Sequence, residues 1–124
     1  MQLLLEGERR IRLDLDGSAE LSIDAGPEGT AFSPLHMLAA SLATCTASVL
    51  LSWAEQASLA TDGLTLTVDW EYVEDPYRVG GYRMALIWPG LPERRRAAAL
   101  RVAEQCTVEQ TLRLPTPVET RFEP

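Results

Sequence analysis

An α+β fold is predicted by three features of this 124-residue sequence: two sets of alternating segments, one long helix rich in small apolar residues, and a second helix of three–four spacing. Alternation puts successive side chains on opposite faces of a strand, and short turns between such segments make antiparallel hairpins. The helices stand apart from the strands instead of alternating with each of them, which separates α+β from α/β. No repeat and no linker interrupts the pattern. A single domain over residues 1–124 is therefore expected, long enough to bury its own core.

The elements follow in order. Leu3–Leu5 suggests a first strand. From Arg10 to Leu15, Ile11, Leu13 and Leu15 share one face while Arg10, Arg12 and Asp14 share the other, as in a half-buried strand. Asp16-Gly17 supplies turn chemistry, and Ala19, Leu21 and Ile23 resume the alternation to complete a hairpin. Ser33-Pro34 opens the long helix, because serine can cap the first free amides and proline sacrifices no hydrogen bond at the next position. That helix is expected to end near Ala57. After Asp62-Gly63, Leu64 to Tyr72 alternates as a strand, and Tyr82 to Trp88 returns beside it. Pro92 and Glu93 open a second helix reaching Gln105 or slightly beyond, with Ala99, Val102, Ala103 and Cys106 as one apolar stripe. Leu112 to Phe122 contains Pro115 and Pro117 and fits only an irregular or edge strand.

Composition narrows the partners. A net charge of −7 and the absence of any basic stripe argue against nucleic acid or an anionic membrane. Arg94–Arg96 is a short basic run of the kind usually found on a solvated face. The apolar stretch from Met37 to Leu51 is too short to span a bilayer. The first residues lack the pattern of a signal peptide, so a cytoplasmic location with reduced thiols is expected.

Cys45 and Cys106 are the only cysteines. Cys45 falls on a helix face with Leu38, Ser41, Ser48 and Ser52, and Cys106 completes the stripe of the second helix. Either could be a small buried hydrophobe. If the two stripes meet, the sulfurs meet, and a thiolate could attack a peroxide to give a sulfenic acid that the second thiol resolves. Cys45 lies mid-helix, far from its own helix terminus, so an arginine of the N-terminal hairpin is the expected activator, with Arg10, Arg12 and the preceding Arg9 as candidates. A metal site is not expected, because the cysteines and His36 have no CxxC or HxxxH spacing. Tyr77, Tyr82, Trp70 and Trp88 are candidates to line an apolar pocket, though such residues commonly belong to a sheet core.

The segment SPLHMLAASLATCTASVLLSW resembles the central-helix signature of the OsmC/Ohr superfamily, in which a cysteine follows the helix-opening proline by eleven positions, as Cys45 follows Pro34. The segment ALRVAEQCTVEQTL resembles the second signature, Cys-x-Val-x-x-x-Leu, carried here by Cys106, Val108 and Leu112. The resemblance implies antiparallel sheets around two core helices in an intertwined homodimer, without a metal or bound organic cofactor. It implies a thiol-dependent reductase of organic hydroperoxides, a peroxidase of oxidative-stress defence. Cys45 would be the attacking thiol, Cys106 the resolving thiol, and a small dithiol or lipoyl-type group the reductant. This sequence has Leu35 where peroxidase members carry a glutamate that holds the activating arginine, and His36 where another branch carries one. A dimeric binding or carrier domain with an apolar pocket is the alternative that Leu35 favours.

Overall fold

The computed structural model describes residues 33–124 with their side chains, and residues 2–5, 10–14 and 20–24 as backbone strands. The chain forms two compact units, 1–38 and 39–124. In the first, β1 (Gln2–Leu5), β2 (Arg10–Asp14) and β3 (Glu20–Asp24) make an antiparallel sheet in that order. Its register sets Leu3 opposite Leu13 and Leu13 opposite Leu21, and likewise Leu5, Ile11 and Ile23. Apolar positions thus form continuous rows across the sheet, which is what fixes a register when one face is to be covered.

Helix α1 (Pro34–Gln56) begins where Ser33 caps it: the Ser33 hydroxyl accepts from the His36 amide at 3.2 Å and the Ser33 carbonyl from the Met37 amide at 3.0 Å. It ends in a paired carbonyl-capping arrangement. Leu59 N–H donates to the Ala54 carbonyl at 2.8 Å and Ser58 N–H to the Glu55 carbonyl at 3.2 Å, with Ser58 at φ 52°. α1 is long and apolar enough, by length and composition, to cross a membrane. The expected apolar stretch ran from Met37 to Leu51, and the helix extends it at both ends. Here its Ala39, Leu42, Thr46, Leu50 and Ala54 side is buried.

β4 (Thr65–Val73) and β5 (Arg78–Ile87) form an antiparallel pair. Leu66 faces Leu86, Val68 faces Met84 and Trp70 faces Tyr82, so the half-buried residues stand in matched cross-strand pairs. A bulge at Gly80 shifts the register beyond Glu71, and a Cβ there would lie 2.5 Å from Val73 Cγ1. Glycine is required by space at this point. The core joins Leu50 and Ala54 to Trp88, Leu91, Ala99 and Ala103. Trp88 meets Trp53 edge to face at 6.2 Å, and its indole N–H donates to the Ala60 carbonyl at 2.8 Å.

The C-terminal third differs from expectation. A 3₁₀ turn at Glu93–Arg95 leads into α2 (Arg96–Ala103), which stops before Cys106; α3 (Thr107–Arg113) then starts afresh. Cys106, at φ −59° and ψ 123°, is the N-cap of α3 and not the last residue of one long helix stripe. Its backbone leaves the helical region there, which breaks the run. The expected final strand is absent among the described residues: α3 reaches Arg113, Leu114 is extended ahead of Pro115, and 114–124 is exposed without regular structure.

Candidate functional site

The site forms where the middle of α1 meets the start of α3. The buried stripe of α1 passes through Leu42, Thr46 and Leu50, with the Thr46 hydroxyl donating to Met84 Sδ at 3.7 Å. Cys45 is one residue to the side of that stripe and is half-buried, while Leu38, Ser41, Ser48 and Ser52 on its helix face are exposed. The small-residue face expected to pack against a helix is thus open, except where α3 covers Cys45. Cys106 is wholly buried, and both thiols are free.

The N-terminus of α3 is built around sulfur. Cys106 Sγ accepts from the Glu109 amide at 3.4 Å, a weak acceptor taking the place of a serine or aspartate oxygen. The Cys106 side chain in turn hydrogen-bonds Cys45. That bond, followed by the amide of Val108, holds the Cys45 thiol below its ordinary value of 9.0; burial opposes the shift, and the amide of Thr107 adds to it. Donors aimed at a sulfur favour its charged form, and the thiolate is the reactive form of cysteine.

The structure brings Cys45 and Cys106 together and sets the amides of Thr107 and Val108 beside Cys45, while the expected activating arginines fall outside the residues whose side chains are described. Sequence reasoning looked for an arginine because Cys45 is mid-helix. The amides of Thr107 and Val108, on a different helix, were missed, and backbone donors leave no residue-type signal to find. Arg9 lies outside the described residues, and Arg10 is described only as a β2 position paired with Asp24. His36 is on the first turn of α1, where its Nδ1 meets the Ser33 hydroxyl, nine positions from Cys45. Leu35 is half-buried. Among the described residues no group of three or more His, Cys, Asp or Glu side chains is placed to hold a metal ion.

A separate apolar cavity of about 410 Å³ lies between the end of β5 and α2, lined by Leu86, Trp88, Leu91, Ala99, Leu100 and Arg96 among others. Neither cysteine lines it. Of the four aromatic candidates only Trp88 does. Trp70 instead donates to the Tyr72 hydroxyl at 3.0 Å, Tyr77 stacks on Tyr72 at 5.3 Å, and the Tyr82 hydroxyl is buried without a hydrogen-bond partner among the described residues.

An α+β scaffold that seats an accessible, acidified thiol against a second, buried thiol defines a dithiol protein. The family model of OsmC-like proteins matches residues 26–121, and the chain belongs to that family. Its fold is similar to that of a Psychrobacter arcticus protein described as an osmotic stress induced and detoxification response protein. That pair is 26% identical, with a TM-score of 0.74 over 89% of this chain and 85% of the other. An OsmC-like protein from Mycoplasma pneumoniae is 19% identical, with a TM-score of 0.68 over 90% of this chain and 84% of that one. The organic hydroperoxide resistance protein OsmC from Legionella pneumophila is 21% identical, with a TM-score of 0.65 over 90% and 88%. Among curated proteins, none matches this sequence.

Proposed function

We propose that this protein is a thiol-dependent reductase of organic hydroperoxides that works in oxidative-stress defence. The observation that supports the reading most is the Cys45 thiol, half-exposed and held below its ordinary value by Cys106 and two α3 amides. Family membership and the hydroperoxide resistance name carried by the Legionella relative point the same way.

In this reading the Cys45 thiolate attacks one oxygen of the hydroperoxide. The sulfur–oxygen bond forms as the O–O bond breaks, and the alcohol leaves after taking a proton. Cys45 is then a sulfenic acid. The Cys106 thiol attacks it, releasing water and closing a disulfide, and an external small dithiol or lipoyl-type group returns both sulfurs to thiols. Arg9 or Arg10 would add a cation beside the thiolate. The protein would act in the cytoplasm, without a bound cofactor, nucleic acid or membrane.

The active form is proposed to be a homodimer. Leu51, Ile87 and Leu100 are 47%, 54% and 58% exposed in the single chain, a substantial apolar surface for a second copy to cover.

The deciding experiment follows consumption of cumene hydroperoxide by reduced protein with a dithiol. Wild type should turn over and lose two hydrogens in intact mass on oxidation. Cys45→Ser should fall to background, and Cys106→Ser should stop at a trappable sulfenic acid. A wild type that consumes no peroxide overturns the reading. A second reading, a binding or carrier domain, is favoured by the 410 Å³ apolar cavity and by Leu35 in place of the glutamate of peroxidase members. It gains if peroxide is untouched while an apolar ligand quenches Trp88.

A further inference from the structure

A helix leaves its first amides without intrahelical partners, and other groups have to satisfy them. At the start of α3 those groups are sulfurs. The Cys106 amide donates to the Ala103 carbonyl at 3.2 Å, and the Gln110 amide makes the first bond inside the helix, to the Cys106 carbonyl at 3.0 Å. Between them stand the amides of Thr107, Val108 and Glu109. The first two donate to Cys45 and the third to Cys106 Sγ at 3.4 Å, while the Cys106 side chain hydrogen-bonds Cys45. Two sulfurs thus serve three amides.

Little else holds this helix in place. α3 is seven residues long, well below the length at which a helix is stable in water by itself. None of its residues is wholly buried: Val108 and Glu109 are half-buried and the other five are exposed. The Glu109–Arg113 ion pair and the bond from the Thr111 hydroxyl to the Thr107 carbonyl both lie within the helix. Gln110 Nε2 on the Glu104 carbonyl, at 2.7 Å, ties it back to the end of α2.

The sulfurs suit those amides best as thiol and thiolate. A hydrogen bond to a charged acceptor is about twice as strong as one between neutral groups. When Cys45 and Cys106 give up two hydrogens to a hydroperoxide, which leaves as alcohol and water, the sulfurs join. The thiolate charge is then gone, and both sulfurs have shifted from hydrogen-bond to bonding distance. The amides of Thr107, Val108 and Glu109 keep only weakened acceptors. We infer that α3 is a redox-gated latch, capped on the reduced dithiol and loosened from its first turn when Cys45 and Cys106 close a disulfide.

This inference rests on the proposal that the two cysteines form a disulfide in the working cycle. Cys106 is wholly buried in the reduced protein. A reducing dithiol has to reach a sulfur of the disulfide to attack it, and a loosened α3 opens the Cys106 side. Two electrons and two protons then pass from the external dithiol, which leaves as its own disulfide, and the restored thiols cap α3 again.

The test is hydrogen–deuterium exchange of the intact protein, either fully reduced or oxidised with diamide, with the bridge verified by intact mass. Diamide takes up the two hydrogens, so no peroxide enters the assay. Oxidation should speed exchange over Thr107–Arg113 by about tenfold, with α1 and the β4–β5 hairpin unchanged. Cys106→Ala removes the cap and should show the fast α3 already in the reduced protein. Cys106→Ser keeps an N-cap oxygen, so its reduced form should exchange as slowly as wild type. Protection of α1 reports that each variant folds, and the wild-type comparison decides without them. An α3 equally protected in both redox states, a loss spread evenly over the chain, or a pair that diamide does not join overturns the inference. Failure of the peroxidase reading is distinct: diamide loosens α3, yet cumene hydroperoxide forms no disulfide.

Discussion

Ser58 carries a left-handed backbone, φ 52°, at the position after α1 where glycine is favoured because it has no Cβ to strain. Its replacement by glycine should stabilise the protein by up to about 1 kcal/mol, read as a higher urea midpoint with unchanged slope. Gly80 is the opposite case. Its φ is ordinary, but any side chain would run into the Val73 methyl groups, with Val73 Cγ1 at 2.5 Å. Gly80→Ala should lower the thermal midpoint, and adding Val73→Ala should recover part of that loss, since it clears the space the new methyl needs. Neither role is visible in the sequence. Ser58 sits in SLATDG, where the stronger turn signal is Asp62-Gly63, and the reason for Gly80 is a contact seven residues upstream across a bulge. The cysteines were legible because their spacing follows two recognisable signatures. The amides that tune Cys45 were not, since every residue but proline carries one.

At the scale of elements, α1 and the β4–β5 hairpin were legible because each is specified locally. Ser33-Pro34 marks the start of the helix, and alternation from Leu64 to Tyr72 survives in the half-buried positions Leu66, Val68 and Trp70. The break between α2 and α3 was not legible. Ala99, Val102, Ala103 and Cys106 keep helical spacing across it, and neither glycine nor proline marks the interruption. What sets it is a cap: Cys106 gives its sulfur to the Glu109 amide, and Gln110 Nε2 ties back to the Glu104 carbonyl at 2.7 Å. Gln110→Ala should therefore loosen the start of α3, which amide exchange of Thr107–Glu109 would report as lost protection without loss of protection in α1. The core of α1 is a stronger constraint. Leu50 is fully buried against Trp88 and Ala99 neighbours, and Leu50→Ala should cost about 2–5 kcal/mol in chemical denaturation.

At the largest scale, the buried core of the second unit contrasts with large apolar side chains left exposed on its surface. Leu114, Val118 and Phe122 are 66%, 88% and 102% exposed on the C-terminal segment expected as an irregular or edge strand. An exposed apolar segment with no strand partner among the described residues gains stability from pairing with another surface. If the homodimer forms, the thermal midpoint should rise with protein concentration, and removing residues 114–124 should weaken that dependence. A monomer at every concentration in sedimentation would count against it. α1 has one more consequence, in time instead of space. The ribosome delivers this long apolar helix before the residues that cover Leu50 and Ala54, from Trp88 to Ala103, which follow only after the β4–β5 hairpin. At about 5–20 residues per second, the nascent chain shows a greasy segment for several seconds before its cover is synthesised. During that interval the factors that sort emerging chains between the cytosol and the bilayer meet α1 without the residues that cover it. Translation speed between Gln56 and Ala103 is thus part of how this protein reaches its fold.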